Sequence, residues 1–308
     1  MSAGTEPVRA NALYFDRPGS VSLRREEIVR RPGERVVTSR LIGISHGTEM
    51  LFYRGPFPRG HLLERIAGIG TGTGYPIKYG YMNVGTTDDG RRVFAFAPHQ
   101  DVFAADESSL RPIPDQISDE AAVLYPSVET ALQIVHDAGP ALGETVLVAG
   151  LGVIGLLVAR LLLKLSITVL ATDPLAVRRE RAAEYGCTTL DPTTTTPGHL
   201  RDLTAGRGVD IAINTSSNAS ALQLGIDALA AEGVAVEASW YGEKRVELDL
   251  GSDLHRRRLT LRASQVSDLN PRMRPRWSYE RRTAQAWSLV RDLEPERLIT
   301  HRFGLDAA

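Results

Sequence analysis

One stretch of this chain, residues 145–155, constrains its fold more than any other. It joins the apolar run T-V-L-V-A to G-L-G-V-I-G, and a long apolar segment of helical character follows. In that setting Gly150 permits a tight turn, Gly152 lets the backbone approach a pyrophosphate, and Gly155 lets the next helix lie close to the sheet. The first helical turn would direct its free N–H groups at the phosphates. The pattern predicts a dinucleotide site contacted by Gly150, Leu151, Gly152, Val153, Ile154 and Gly155.

A carboxylate follows the next predicted strand, where a contact with the adenosine ribose is expected. The apolar run 167–171 leads into Thr172 and Asp173. An acid at this position accepts hydrogen bonds from the ribose hydroxyls and repels a 2′-phosphate, so it favours NAD over NADP. Arg178 could soften that repulsion, or it could simply lie on an exposed helix face. The alternative for the whole motif is a glycine-rich turn that binds nothing, with Asp173 capping the helix that follows.

Polar and aromatic side chains follow the fourth and fifth predicted strands. Asn214, Thr215 and Ser216 come directly after the run 209–213, and Trp240 comes shortly after the run 233–238. The carboxyl ends of parallel strands face the cofactor crevice. We therefore expect these four residues to contact the nicotinamide side of the cofactor, although polar residues are common at strand ends in any α/β protein.

Composition limits the partners and the compartment. The chain has 308 residues, of which 43% are hydrophobic and 24% charged, and a formal net charge of −1. This length allows two domains, and the balanced charge disfavours nucleic acid and anionic membranes as partners. A single cysteine, Cys187, excludes an internal disulfide and fits a reducing compartment. Because the N-terminal residues contain no apolar leader, we expect a cytoplasmic protein.

Two modules can be distinguished along the chain. Residues 1–120 contain short apolar runs between Pro/Gly turns, which is typical of a β-rich domain. A helical period over residues 119–137 leads into the fingerprint strand, and residues 121–264 contain six predicted strands alternating with helices. This alternation predicts an α/β fold with a doubly wound parallel sheet. The segment 265–308 is expected to return to the first module and complete it.

Three further motifs carry a family resemblance. They are G-I-S-H-G-T-E at residues 43–49, G-Y-M-N-V-G at residues 80–85 and P-S-V-E-T-A at residues 126–131. With the module order, they resemble the medium-chain dehydrogenase/reductase superfamily, which implies a GroES-like catalytic domain, a six-stranded Rossmann domain and a homodimer. Within the superfamily, the chain looks most like the bacteriochlorophyllide a dehydrogenase group and its polyol-dehydrogenase-like relatives. Members usually continue beyond the equivalent of residues 298–306, so the resemblance also implies an open strand edge in the first module.

The resemblance implies a zinc site, but the residues in its positions are unusual. Zinc-dependent members have a cysteine, a histidine and a carboxylate or cysteine there, and this chain has Ser45 or His46, then Tyr81, then Tyr125. One imidazole and two phenols are poor zinc ligands, so we predict no bound metal. The alternative is an unusual site in which His46 is joined by Glu49 or His61.

Without a metal, another group must hold the proton of the substrate hydroxyl. The resemblance places four candidates in the motifs that line the active cleft: Tyr81, Tyr125 and His46 as acid/base, and Thr48 as a hydroxyl relay. For each residue alone, a structural role is the competing interpretation.

These expectations define one function and two alternatives. The first is a zinc-independent, NAD(H)-dependent oxidoreductase that interconverts a secondary alcohol and a ketone, with a polyol, cyclitol or natural-product intermediate as its small-molecule substrate. The second is an NADPH-dependent enone or quinone reductase. The third is a nucleotide-binding relative without catalytic activity.

Overall fold

The computed structural model describes residues 7–57 and 74–307, and within them the chain divides into two compact units. The first comprises Met1–Pro126, Gly242–Lys244 and Val290–Ala308, and the second comprises Ser127–Tyr241 and Arg245–Leu289. From the sequence we placed the return to the first module at residue 265, whereas this division keeps residues up to 289 with the second unit.

The first unit is built mainly from antiparallel strands. One sheet has the order β2-β1-β4 and another has the order β7-β3-β5-β6-β8. Alternating residues of the second sheet form an apolar core that includes Val37, Val93 and Phe103. The elements up to the fingerprint are β1 (Val8–Arg17), β2 (Ser20–Ile28), β3 (Glu34–Gly43), α1 (Thr48–Arg54), β4 (Ile77–Lys78), β5 (Met82–Thr87), β6 (Arg92–Ala95), β7 (Val102–Asp106), β8 (Arg111–Pro112), α2 (Asp119–Ala122) and α3 (Tyr125–Ala138).

The second unit contains a six-stranded parallel sheet with the order β11-β10-β9-β12-β13-β14. The first strand, β9, lies in the middle because successive strands are added first on one side and then on the other. This is the doubly wound order predicted from the sequence, and the predicted fold class is confirmed. The elements are β9 (Thr145–Ala149), α4 (Val153–Lys164), β10 (Thr168–Thr172), α5 (Ala176–Glu184), β11 (Thr188–Leu190), α6 (Pro197–Asp202), β12 (Val209–Asn214), α7 (Ala219–Ala228), β13 (Leu229–Glu237), α8 (Asp253–Arg256), β14 (Thr260–Ala263) and α9 (Tyr279–Leu293).

The central strands are hydrophobic on both faces because helices cover both sides of a parallel sheet. All five residues of β9 are buried. On one face, Leu147 packs with Leu170, Ala212 and Ile226 in a single apolar cluster. This packing holds the carboxyl ends of β9, β10, β12 and β13 at one edge of the sheet.

Two sequence predictions are corrected or left open. The helical period over residues 119–137 is divided into α2 and α3, because Pro126 lacks an N–H and its ring excludes a continuous helix through Ala122. Residues 66–70, an apolar run of the first module that is typical of a strand, lie outside the described residues together with His61. Among residues 7–57 and 74–307, no helix has the length and apolarity needed to cross a bilayer.

Candidate functional site

The fingerprint turn between β9 and α4 has the geometry that its glycines predict. Gly150 has a φ of +95°, and a Cβ atom there would lie 2.8 Å from the Cβ of Ser216. A Cβ atom on Gly155 would lie 1.9 Å from the carbonyl oxygen of Gly150. At Gly152, which precedes the first turn of α4, a Cβ atom would meet no described heavy atom within 4 Å. The turn is therefore closely packed on its inner side and open at Gly152, where a pyrophosphate would approach.

Asp173 follows β10 and is 2% exposed. Its Oδ2 accepts a hydrogen bond from the Leu151 backbone N–H at 2.8 Å, and its Oδ1 accepts one from the Leu175 N–H at 2.9 Å. The guanidinium of Arg178 lies 3.3 Å from Oδ2. The carboxylate thus braces the fingerprint turn, and Arg178 partly compensates its charge.

Thr215 and Ser216 connect the end of β12 to the fingerprint turn. The Thr215 hydroxyl donates to the Gly150 carbonyl at 2.8 Å. The Ser216 hydroxyl donates at 2.6 Å to Oδ1 of Asn214, the last residue of β12. The structure therefore brings Asn214, Thr215 and Ser216 to the same edge of the sheet as Gly150.

Glu237, the last residue of β13, joins this group although we did not single it out from the sequence. Its Oε2 accepts hydrogen bonds from the Asn214 side-chain amide at 2.7 Å and from the Tyr241 hydroxyl at 3.1 Å. Its Oε1 accepts one from the Ser239 N–H at 2.7 Å. Burial, and then the Glu237 charge, raise the pKa of Tyr241. Trp240, which we predicted to contact the cofactor, lies half-buried in the same loop.

In the first unit, Tyr81 lies at the centre of a cluster of hydroxyl groups. Its phenol lies beside the Ser45 and Thr48 hydroxyls, close enough to interact with both. Burial raises the pKa of Tyr81, the nearby Glu49 charge raises it further, and the two hydroxyl contacts oppose the increase. Tyr81 is therefore a neutral phenol at physiological pH, able to donate a proton and joined to hydroxyls that can relay it.

A buried carboxylate–imidazole pair lies beside this cluster. Glu49 is 1% exposed, and its Oε2 accepts a hydrogen bond from the Ser45 N–H at 2.9 Å. The same Oε2 lies 3.1 Å from Nε2 of His99. Its Oε1 is buried and, among the described residues, has no hydrogen-bond partner. The pair holds the loop that carries Ser45 in place.

The remaining two acid/base candidates have different surroundings. Tyr125 is fully buried, and its hydroxyl accepts a hydrogen bond from Arg111. The Arg111 guanidinium also lies 5.0 Å from the centroid of the Tyr125 ring. His46 is exposed, and no described hydrogen bond or ion pair includes it. Of the four candidates, the structure brings Tyr81 and Thr48 together.

The residues in the family's zinc positions do not fit that metal. Tyr81 is a phenol beside the Ser45 hydroxyl, and Tyr125, in the third position, is hydrogen-bonded to Arg111. Across residues 7–57 and 74–307, no three His, Cys, Asp or Glu side chains lie close enough together to hold a metal ion. Glu49 and His99 are bonded to each other and lack the third ligand that catalytic zinc requires.

Comparison with known proteins agrees with this architecture. Residues 150–280 match a protein-family model described as zinc-binding dehydrogenase. D-guloside 3-dehydrogenase of Escherichia coli K12 is 31% identical over 191 residues, which are 61% of this chain and 54% of that protein. The chain thus spans about half the length of this curated relative.

Solved structures share the fold over nearly the whole chain. A short chain alcohol dehydrogenase from Escherichia coli CFT073, complexed with NADH, superposes with a TM-score of 0.74 and 20% identity, covering 96% of this chain and 92% of that one. A zinc-binding dehydrogenase from Sinorhizobium meliloti 1021, bound to NADP, gives a TM-score of 0.72 and 20% identity, covering 92% and 88%. With the module order and the fingerprint turn, the family model and the dehydrogenase relative support the medium-chain dehydrogenase/reductase superfamily, and the solved structures show its two-domain fold.

Proposed function

We propose that this protein is a zinc-independent, NAD(H)-dependent oxidoreductase that interconverts a secondary alcohol and a ketone. The observation that carries the proposal is the Tyr81 phenol, which lies beside the Ser45 and Thr48 hydroxyls where zinc-dependent relatives have ligands. The matched dehydrogenases support the reaction class, and the fingerprint turn supports a dinucleotide cofactor.

The chemistry divides between cofactor and protein. A nicotinamide cofactor with its pyrophosphate at the fingerprint turn would supply or accept the hydride. In the reducing direction the carbonyl carbon gains a C–H bond, and its oxygen takes the phenolic proton of Tyr81. The Ser45 and Thr48 hydroxyls stabilise the resulting phenolate, and a proton from solvent restores the phenol before the next turnover. Tyr81 is protonated at neutral pH, as phenols ordinarily are, and this is the form that donates a proton in ketone reduction.

NAD preference is supported by Asp173, as the sequence predicted. A buried carboxylate held by two backbone N–H groups keeps its negative charge near the position expected for the ribose 2′-hydroxyl. This charge opposes a 2′-phosphate, although Arg178 at 3.3 Å weakens the effect.

The substrate class we propose is a polyol, cyclitol or related hydroxylated intermediate, supported by the match to a dehydrogenase of a sugar derivative. We also propose a cytoplasmic homodimer. Among the described residues, the outer strand β14 is paired on one side only, and its mostly exposed residues leave that sheet edge open for such an association. Light scattering of the purified protein would measure its assembly.

One screen tests the function against its alternatives. Polyols, cyclitols, their ketones, enones and quinones would be assayed with NADH and NADPH by absorbance at the reduced-cofactor band. Ketone reduction with NADH supports the proposal. NADPH-dependent enone or quinone reduction would replace it with the second function, and NADH binding without turnover of any compound would favour a non-catalytic relative.

A further inference from the structure

Glu237 carries a charge that the proposed reaction does not yet use. Its carboxylate is held by Asn214, Tyr241 and the Ser239 N–H at 2.7–3.1 Å. All three donors are neutral. They fix the position of the carboxylate without cancelling its charge.

The charge of Glu237 has no cationic partner among the described residues, since none of their ion pairs includes it. Asp173, the other acid at this edge of the sheet, is compensated by Arg178 at 3.3 Å. Partly buried carboxylates are normally paired with a cation, because the interior screens charge less than water does. A negative charge fixed in place but unpaired indicates a site for a positively charged ligand.

The sheet order gives the position of this charge relative to the cofactor. The central strand β9 carries the fingerprint turn, with β10 on one side and with β12 and β13 on the other. A dinucleotide places one mononucleotide on each half of such a sheet. Asp173 after β10 marks the adenosine half, so Glu237 at the end of β13 lies on the nicotinamide half. The chain of contacts from Ser216 through Asn214 joins it to the fingerprint turn.

We propose that Glu237 discriminates between the oxidation states of the cofactor by favouring the oxidised form; this inference rests on the proposed NAD(H)-dependent function. The oxidised nicotinamide ring carries one positive charge, and the reduced ring carries none. A fixed carboxylate on that side attracts only the oxidised ring. Stabilising the oxidised form makes the bound reduced cofactor a stronger hydride donor, in the same direction as the neutral phenol of Tyr81.

Affinity measurements test the proposal without a known substrate. Dissociation constants for NAD⁺ and NADH would be measured by calorimetry for the wild type, Glu237→Gln, Glu237→Asp and Glu237→Asn. The last two variants are matched in size and differ in charge. We expect the ratio Kd(NAD⁺)/Kd(NADH) to be about 5-fold higher in Glu237→Asn than in Glu237→Asp, and to rise similarly from wild type to Glu237→Gln.

A neutral control separates charge from disturbed packing. Tyr241→Phe removes one neutral donor to Glu237 and leaves the carboxylate with its other two, so the ratio should change much less than in Glu237→Gln. Thermal unfolding without ligand would show that each variant is folded, and the Asp/Asn pair decides the question if Glu237→Gln does not fold. Equal ratios in Glu237→Asp and Glu237→Asn would overturn the role of Glu237 while leaving the proposed function intact. A wild type that binds neither NAD⁺ nor NADH would overturn both.

Discussion

At the scale of single residues, the proposed mechanism depends on Tyr81 as the proton donor. Replacing it by Phe keeps the ring and removes the proton donor, so turnover of ketone reduction should fall by about 10²-fold or more. NADH affinity should not change, because the phenol belongs to the first unit's hydroxyl cluster. Steady-state kinetics and a NADH titration would measure the two effects.

The control for Tyr81 is Tyr125, whose phenol is fully buried. Tyr125→Phe removes a hydroxyl bonded to Arg111 and should lower the melting temperature, leaving turnover close to that of the wild type. If Tyr125→Phe loses turnover and Tyr81→Phe does not, the proton is carried at Tyr125.

Asp173 combines two tasks in one side chain. Asp173→Ala removes the charge that opposes a 2′-phosphate, so the difference between NADH and NADPH affinities should narrow. It also leaves the buried N–H group of Leu151 without its acceptor, which should cost about 1–3 kcal/mol of unfolding free energy. Ligand titrations and denaturant unfolding would measure both consequences. Arg178→Ala keeps the carboxylate and should widen the affinity difference, and a wild type that prefers NADPH would contradict the argument.

At the scale of elements, Gly152 and Gly155 at the junction between β9 and α4 should respond differently to substitution. Gly155→Ala would place a methyl group 1.9 Å from the Gly150 carbonyl and should destabilise the fold by about 3 kcal/mol or more. Gly152→Val adds its side chain where no described atom lies within 4 Å, so the protein should stay folded and lose NADH binding. Circular dichroism melting and calorimetry would distinguish these outcomes. Unchanged NADH affinity in folded Gly152→Val would show that the fingerprint turn is not part of the cofactor site.

Elements were easier to predict than the contacts between their ends. The strands of the parallel sheet could be predicted from the sequence, because the four central strands are local apolar runs and the fingerprint identifies the first. The outer strands β11 and β14 are short and polar, and they followed from the alternation of strands and helices. The pair of Glu49 and His99 joins residues from distant parts of the first unit. In the sequence Glu237 is an ordinary strand end, and only the fold brings Asn214 and Tyr241 to its carboxylate. Such contacts depend on how loops fold back, which a hydrophobic period does not encode.

At the scale of the whole molecule, the metal content separates two mechanisms. The purified protein should contain far less than one zinc per chain by elemental analysis, because catalytic zinc needs three good ligands and the family positions hold hydroxyls. Chelators should leave activity unchanged. Stoichiometric zinc, or activity lost to chelation and restored by zinc, would show that His46 belongs to a site with Glu49 or with His61.

The brace between Asp173 and the Leu151 N–H also limits how this protein could evolve. A lineage that changed its cofactor by discarding the acid would loosen the turn at which we propose that the pyrophosphate of either cofactor binds. Selection for NADP would therefore cost less stability if the carboxylate were kept and basic residues were added around it. Arg178 already lies in such a position. Cofactor exchange in relatives with this brace should accordingly proceed by added basic residues on α5 before any loss of the acid.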